Sequence, residues 1–124
     1  MSLLDILMGN ASSVNIDKLN KEFGEVLIEG EYIESAFAVF RDKWIFTNKR
    51  LILLDIQGLT GNKREYQSIP YRSINRFSIE TAASLDVDCE MKLWIRDMEA
   101  PLVKEFKRNT DLKGLQRTLA EHIL

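Results

Sequence analysis

Between Tyr32 and about Arg108 the spacing of apolar residues drops from a helical period to a period of two, in seven short segments separated by turn chemistry. The segments span 32–40, 43–47, 50–57, 63–69, 75–82, 86–96 and 102–108. Their breaks fall at Arg41-Asp42, Gln57-Gly58, Gly61-Asn62, the step from Ile69 to Ser73, and Glu99-Ala100-Pro101. Such close spacing favours meandering antiparallel pairs. The sixth segment is the most regular: Val87, Cys89, Met91, Leu93 and Ile95 alternate with Asp86, Asp88, Glu90, Lys92, Trp94 and Arg96. One face of that strand is apolar and the other wet. Trp94 is the exception on the wet side, either a cover for the stems of Lys92 and Arg96 or a contact surface.

Helical spacing flanks this β body. Leu112, Leu115, Leu119 and Ile123 recur at three, four and four, a single stripe over about residues 111–123 that must lie on something apolar. Gly114 costs this helix about 1 kcal/mol relative to alanine, so docking holds it more than propensity does. Asn109, Thr110 or Asp111 supplies the N-cap. At the other end, Ile16, Leu19 and Phe23 place a helix over about 15–23 with Gly24 as its stop, and residues 3–8 read as a further short amphipathic turn. A seven-strand antiparallel body with one terminal helix has two natural solutions, a closed barrel or two nearly orthogonal sheets with the helix plugging an open end.

A chain of 124 residues suits one domain with a core that needs no disulfide or metal. Apolar residues make up 45% and charged residues 29%, which argues against disorder, and a net charge of −2 argues against wholesale attraction to nucleic acid or an anionic bilayer. Cys89 is the one cysteine and reads as a buried small hydrophobe; His122 is the one histidine and sits where a helix end favours a cation. Without a second His or Cys nearby, a zinc site is not expected. The opening Met-Ser-Leu-Leu-Asp-Ile-Leu-Met-Gly has no basic leader and carries Asp5 within its apolar stretch, so the expected location is cytoplasmic.

The segments "FRDKWIFTNKRLILLD", "IPYRSINRFSIET", "MKLWI" and "EFKR" resemble the bacterial pleckstrin-homology-like family over about residues 30–124. The resemblance implies a mainly β fold, a seven-stranded antiparallel barrel or pair of orthogonal sheets capped by the C-terminal helix. Residues 1–29 are then an N-terminal helical extension. It also implies a bacterial protein, and homo-oligomers of ring-like form. Phosphoinositide-binding relatives of this fold carry basic side chains on the first two strands and the adjoining loops. By position the counterparts are Arg41 and Lys43, with Lys63 and Arg64 across the rim, although residues 32–40 hold no basic residue and Asp42 interrupts the group.

Lys49 and Arg50 are not part of that rim. Segments 43–47 and 50–57 are adjacent strands, so Asn48 and Lys49 form the bend, where asparagine is expected to supply positive φ. Charge is uneven along the chain: residues 41–64 carry six basic and two acidic side chains, a net +4, and residues 80–105 carry seven acidic and three basic, a net −4. A solvated surface accounts for this, and so does a head-to-tail contact between a basic rim and the acidic face of 86–96, which closes into a ring where the rotation permits. Expected oligomer contacts are Leu3, Leu4 and Leu7 of the N-terminal turn, with Asp86, Asp88, Glu90 and Trp94.

Glycine-rich phosphate loops, nucleophile elbows, paired cysteines and EF-hand spacing are absent, and no cofactor is expected. The sequence therefore reads as a non-catalytic module that self-associates and binds a protein partner, with an anionic lipid headgroup at the rim as the alternative. Single-stranded nucleic acid stacked on Trp44, Phe46 and Tyr66 is a third reading that the acidic balance disfavours.

Overall fold

The alternations and the terminal stripe fold into two antiparallel sheets and two helices, described for residues 16–39, 42–59, 61–80, 89–106 and 111–124 of a computed structural model. Helix α1 (Ile16–Glu22) leads into β1 (Ile33–Val39), β2 (Asp42–Thr47), β3 (Arg50–Gln57) and β4 (Lys63–Pro70). A 3-10 turn (Tyr71–Ser73) then passes the chain to β5 (Ile74–Glu80), β6 (Cys89–Ile95), β7 (Leu102–Phe106) and helix α2 (Leu112–Ile123). Sheet order is β1-β2-β3-β4 and β5-β6-β7, every pair antiparallel. The mainly β architecture expected from the sequence is the observed one. The expected turn at 3–8, with Leu3, Leu4 and Leu7, lies outside the described residues.

Because side chains alternate across a strand, each sheet has two faces, and they are treated differently. The inner faces meet in one core of Phe37, Trp44, Phe46, Leu51, Leu53, Ile69, Ile74, Met91, Leu93 and Phe106, into which α2 inserts Leu115 and Leu119. The C-terminal stripe is therefore docked between the sheets, with Asp111 as its N-cap accepting the Gly114 N–H at 3.0 Å. The burial of Trp44 and Phe46 in this core removes them as stacking platforms for a nucleic acid.

The outer face of the four-stranded sheet is apolar as well. Ile33, Ala36, Ile45, Ile52 and Leu54 form a second cluster there with Leu19 of α1 and Phe23 just after it. Strands β2 and β3 are thus sandwiched, which is why Trp44 to Phe46 and Leu51 to Leu54 are consecutive buried residues rather than alternating ones. Tyr66 joins this outer side, edge-on to Phe23 with ring centroids 5.8 Å apart.

The β2–β3 bend is Asn48-Lys49, as expected, but its asparagine works differently. Among described non-glycine residues only Asp97 has positive φ. Asn48 instead uses its side chain: Oδ1 accepts the Tyr32 N–H at 2.8 Å and Nδ2 donates to the Gly30 carbonyl at 3.0 Å. The amide mimics a strand partner for the segment entering β1.

Candidate functional site

Three groups of polar side chains stand out, and they lie at different places on the scaffold. The most buried is at the β2–β3 end. Glu31, in the segment between α1 and β1, has a fully buried side chain, and Arg50 at the start of β3 grips both of its oxygens. Nε of Arg50 donates to Oε2 at 2.8 Å and Nη2 to Oε1 at 2.9 Å, a two-point fork. Thr47 donates its hydroxyl to Oε2 at 2.7 Å, and the Ile28 N–H donates to Oε1 at 3.0 Å. Burial pushes the Glu31 carboxyl up, but the hydrogen bonds from Arg50, Thr47 and Ile28, with the Arg50 charge, outweigh it and bring the group down to about 2.

The rest of the fork is also occupied. Arg50 Nη2 donates to the Val26 carbonyl at 2.8 Å and Nη1 to Ser68 Oγ at 2.9 Å, so one guanidinium ties the α1–β1 segment to β4. Thr47 Oγ1 accepts the N–H groups of Lys49 and Arg50 at 3.0 and 2.9 Å. Its backbone carbonyl accepts the Tyr71 hydroxyl at 2.6 Å. Burial, and then the Glu34 and Glu31 charges, push the Tyr71 phenol up, so it stays a donor. The threonine and arginine of "FTNKR" are a structural latch in which the Thr47 hydroxyl and four of the five Arg50 side-chain N–H groups are committed to the fold. Sequence reasoning placed Arg50 beside the turn, at the start of the next strand, and missed its partner, because Glu31 is 19 residues away.

His122 closes the neighbouring seam. Its Nε2 lies 2.6 Å from Glu34 of β1 and its Nδ1 lies 2.8 Å from the Thr118 carbonyl. The ring lies against Tyr71 and Phe46, with centroids at 4.6 and 5.7 Å.

The sequence-derived basic rim lies at the opposite end of β2, β3 and β4, as the register from Lys43↔Leu54 to Gln57↔Lys63 requires. Lys63 and Arg64 are successive strand residues and point to opposite faces. Arg64 and Lys43 share the outer side, two strands apart, and Arg64 Nη1 is 3.4 Å from Glu22 of α1. Asp42 accepts the Ile56 N–H at 2.8 Å, which commits its carboxylate to the strand end. Arg41 lies outside the described residues, so the four rim cations are not brought into one pocket among those described. Beside them, Leu59 stands fully exposed in the β3–β4 hairpin, where Gly58 and Gly61 take positive φ.

The third group is the outer face of β5-β6-β7. Direct cross-strand partners share a face, so the register gives three rungs: Arg76 opposite Trp94; Ser78, Lys92 and Val103; and Glu80, Glu90 and Glu105. Arg76 lies over the Trp94 ring, its guanidinium carbon 4.1 Å from the ring centroid. The cation stacked on Trp94 thus comes from the neighbouring strand rather than from Lys92 or Arg96. Lys92 Nζ is 3.8 Å from Glu90. Arg76, Ser78, Glu80, Val103 and Glu105 are exposed, in contrast to the apolar outer face of the other sheet. Asp86 and Asp88 lie outside the described residues.

Among the described residues no group of three or more His, Cys, Asp or Glu is placed to hold a metal ion, and no helix is long and apolar enough to cross a membrane.

A four-stranded and a three-stranded antiparallel sheet with a C-terminal helix docked between them define a pleckstrin-homology-type domain. The bacterial PH domain profile matches residues 2–123, and the chain belongs to that family. It is 49% identical over 121 residues to the protein YjqA of Bacillus subtilis (strain 168), covering 97% of each chain. Among solved structures it resembles a pleckstrin homology domain from Shewanella amazonensis SB2B, with TM-score 0.86, 50% identity and 99% of each chain covered. A DUF1696 family protein with a pleckstrin-homology domain from Shewanella loihica PV-4 gives TM-score 0.81 and 49% identity, covering 90% of this chain and 95% of that one.

Proposed function

We propose that this PH domain is a non-catalytic interaction module that self-associates and binds a protein partner through the outer face of β5-β6-β7. The observation that carries the reading is the contrast between the two outer faces. One is apolar and occupied by α1 and its following segment; the other presents an Arg76–Trp94 stack and a graded row of charge to solvent. Tryptophan and arginine are the residues that most often dominate binding energy at protein contacts. Multi-angle light scattering tests the self-association half. A mass above that of one chain, falling as salt rises, is expected; a monomer at high concentration in moderate salt contradicts it.

Binding of an anionic lipid headgroup at the opposite end is a second reading, favoured by the exposed Leu59 close to Lys63 on the β3–β4 hairpin. An apolar tip beside a cation is the composition of a membrane-surface contact. Sedimentation with anionic vesicles tests it. Salt-sensitive binding that a Lys63→Glu, Arg64→Glu variant abolishes supports it, and no binding rejects it.

A further inference from the structure

We propose that His122 is a pH-sensitive pin: as the doubly protonated imidazolium it seats the last turn of α2 on β1, and on losing its second proton it lets that turn go. The argument is a count of donors. Nδ1 lies 2.8 Å from the Thr118 carbonyl, and a carbonyl only accepts, so Nδ1 carries a proton. In a neutral ring Nε2 is then a bare lone pair, yet it lies 2.6 Å from Oε2 of Glu34, a carboxylate that also only accepts. The contact needs one proton more. Imidazole is a stronger base than a carboxylate by about two pKa units, so that proton belongs to the ring and the pair is an imidazolium against a carboxylate.

The chain builds this contact from two sides. Between Ile33↔Thr47 and Ser35↔Phe46 the register of β1 slips by one residue, and the extra residue is Glu34. A bulge re-aims a side chain, which here brings Glu34 to α2 although Ile33 and Ala36 on either side belong to the outer cluster. The helix presents His122 in its last turn, where the carbonyl end of the dipole favours a cation. Tyr71 and Phe46 lie against the ring with centroids at 4.6 and 5.7 Å, within the range at which an aromatic ring attracts a cation.

Of the described elements packed on the ring, β1 contributes Glu34 and the 3-10 turn contributes Tyr71, which donates to the Thr47 carbonyl and keeps its proton. Glu31 is held by Arg50, and Arg117 and Glu121 of α2 itself are exposed. A contact that only the doubly protonated ring makes is present on the acid side and lost as the pH rises, the reverse of the Glu31 latch. Histidine is the side chain that ordinarily changes charge between about pH 5 and pH 8. Leu115 and Leu119 stay anchored in the core, so what is released is the turn after them and not the helix. Release uncovers the Tyr71 and Phe46 rings.

The test is NMR on the full chain labelled with nitrogen-15, in which the single histidine identifies itself. At about pH 6 both ring nitrogens should show protonated shifts, with nuclear Overhauser contacts from the His122 ring to Tyr71 and Phe46. At about pH 8.5 those ring contacts should be lost while the Leu115 and Leu119 methyls keep theirs with the core. Glu34→Gln separates the pin from mere packing, because its amide can donate to a neutral Nε2 as well as accept from a charged one. In that variant the ring contacts should persist at both pH values. Wild-type ring contacts that are equal at both pH values overturn the release, and a singly protonated ring seated on Tyr71 at the lower pH overturns the assignment of charge. Loss at the higher pH that is the same in wild type and Glu34→Gln overturns the role given to the carboxylate.

Discussion

The two sheets of this PH domain share a core but treat their outer faces oppositely. On β1-β2-β3-β4 the outward positions Ala36, Ile45, Ile52 and Leu54 are as dry as the interior, because Leu19, Phe23 and the segment after them lie on top. On β5-β6-β7 the outward positions are charged or small, apart from Trp94 and Val103. The difference teaches where this chain spends its apolar residues. One sheet is the middle layer of a sandwich over β1, β2 and β3, with only β4 left open at its edge; the other keeps its whole described face solvated.

The cover on the first sheet is held by the latch of Glu31 and Arg50, and breaking that latch has the largest expected effect. Arg50→Met leaves a buried carboxylate without its counter-charge and strips a donor from Val26. A loss of about 3–5 kcal/mol is expected in urea unfolding. A loss below about 1 kcal/mol would mean that the segment stays seated without the ion pair.

A pair of truncations sharpens the contrast between faces. Ile52→Ala, on the covered face, is expected to cost about 2–5 kcal/mol through lost burial and a cavity. Val103→Ala, outward on the other sheet, is expected to stay within about 0.5 kcal/mol. Similar losses for the two would erase the distinction drawn here.

Acid acts on the latch. The Glu31 carboxyl sits near 2 when folded against an ordinary 4.5, so its contribution is fully present above about pH 5 and is lost as the pH falls from there toward 2. That shift corresponds to on the order of 3 kcal/mol. Stability measured from pH 6 to pH 2 should decline over this window, and Glu31→Gln should start lower and decline less. An equally steep decline in Glu31→Gln would place the acid sensitivity elsewhere. Asn48→Ala is expected to cost about 1 kcal/mol in urea unfolding, less than the latch or the covered core, since its two hydrogen bonds are exposed to competing water.

Much of the scaffold was legible because period-two spacing survives wherever one face of a strand is wet. In β6, Met91 and Leu93 turn inward while Glu90, Lys92 and Trp94 turn outward, as the alternation indicates. The stripe of α2 was equally plain, and its cap was narrowed to Asn109, Thr110 or Asp111, of which Asp111 serves. In β2 and β3 the runs Trp44 to Phe46 and Leu51 to Leu54 break the alternation, and that break is itself the mark of a strand covered on both sides. The latch was not legible: Glu31 and Arg50 read as ordinary surface charges until the chain folds them together. Asn48 was assigned the right place and the wrong mechanism, since an asparagine at a bend serves through positive φ or through its amide, and spacing does not distinguish the two. The rim residues were carried over by position from the resemblance, which does not register that Lys63 and Arg64, as neighbours on one strand, must face opposite ways.

The contrast between the two outer faces is tested most directly by methyl NMR with a soluble paramagnetic probe, at low protein concentration and high salt. The Val103 methyls should broaden strongly, while those of Ile45, Ile52 and Leu54 keep their intensity beneath α1 and the latched segment. Broadening of the Ile52 and Leu54 methyls to the same degree as Val103 would contradict the account.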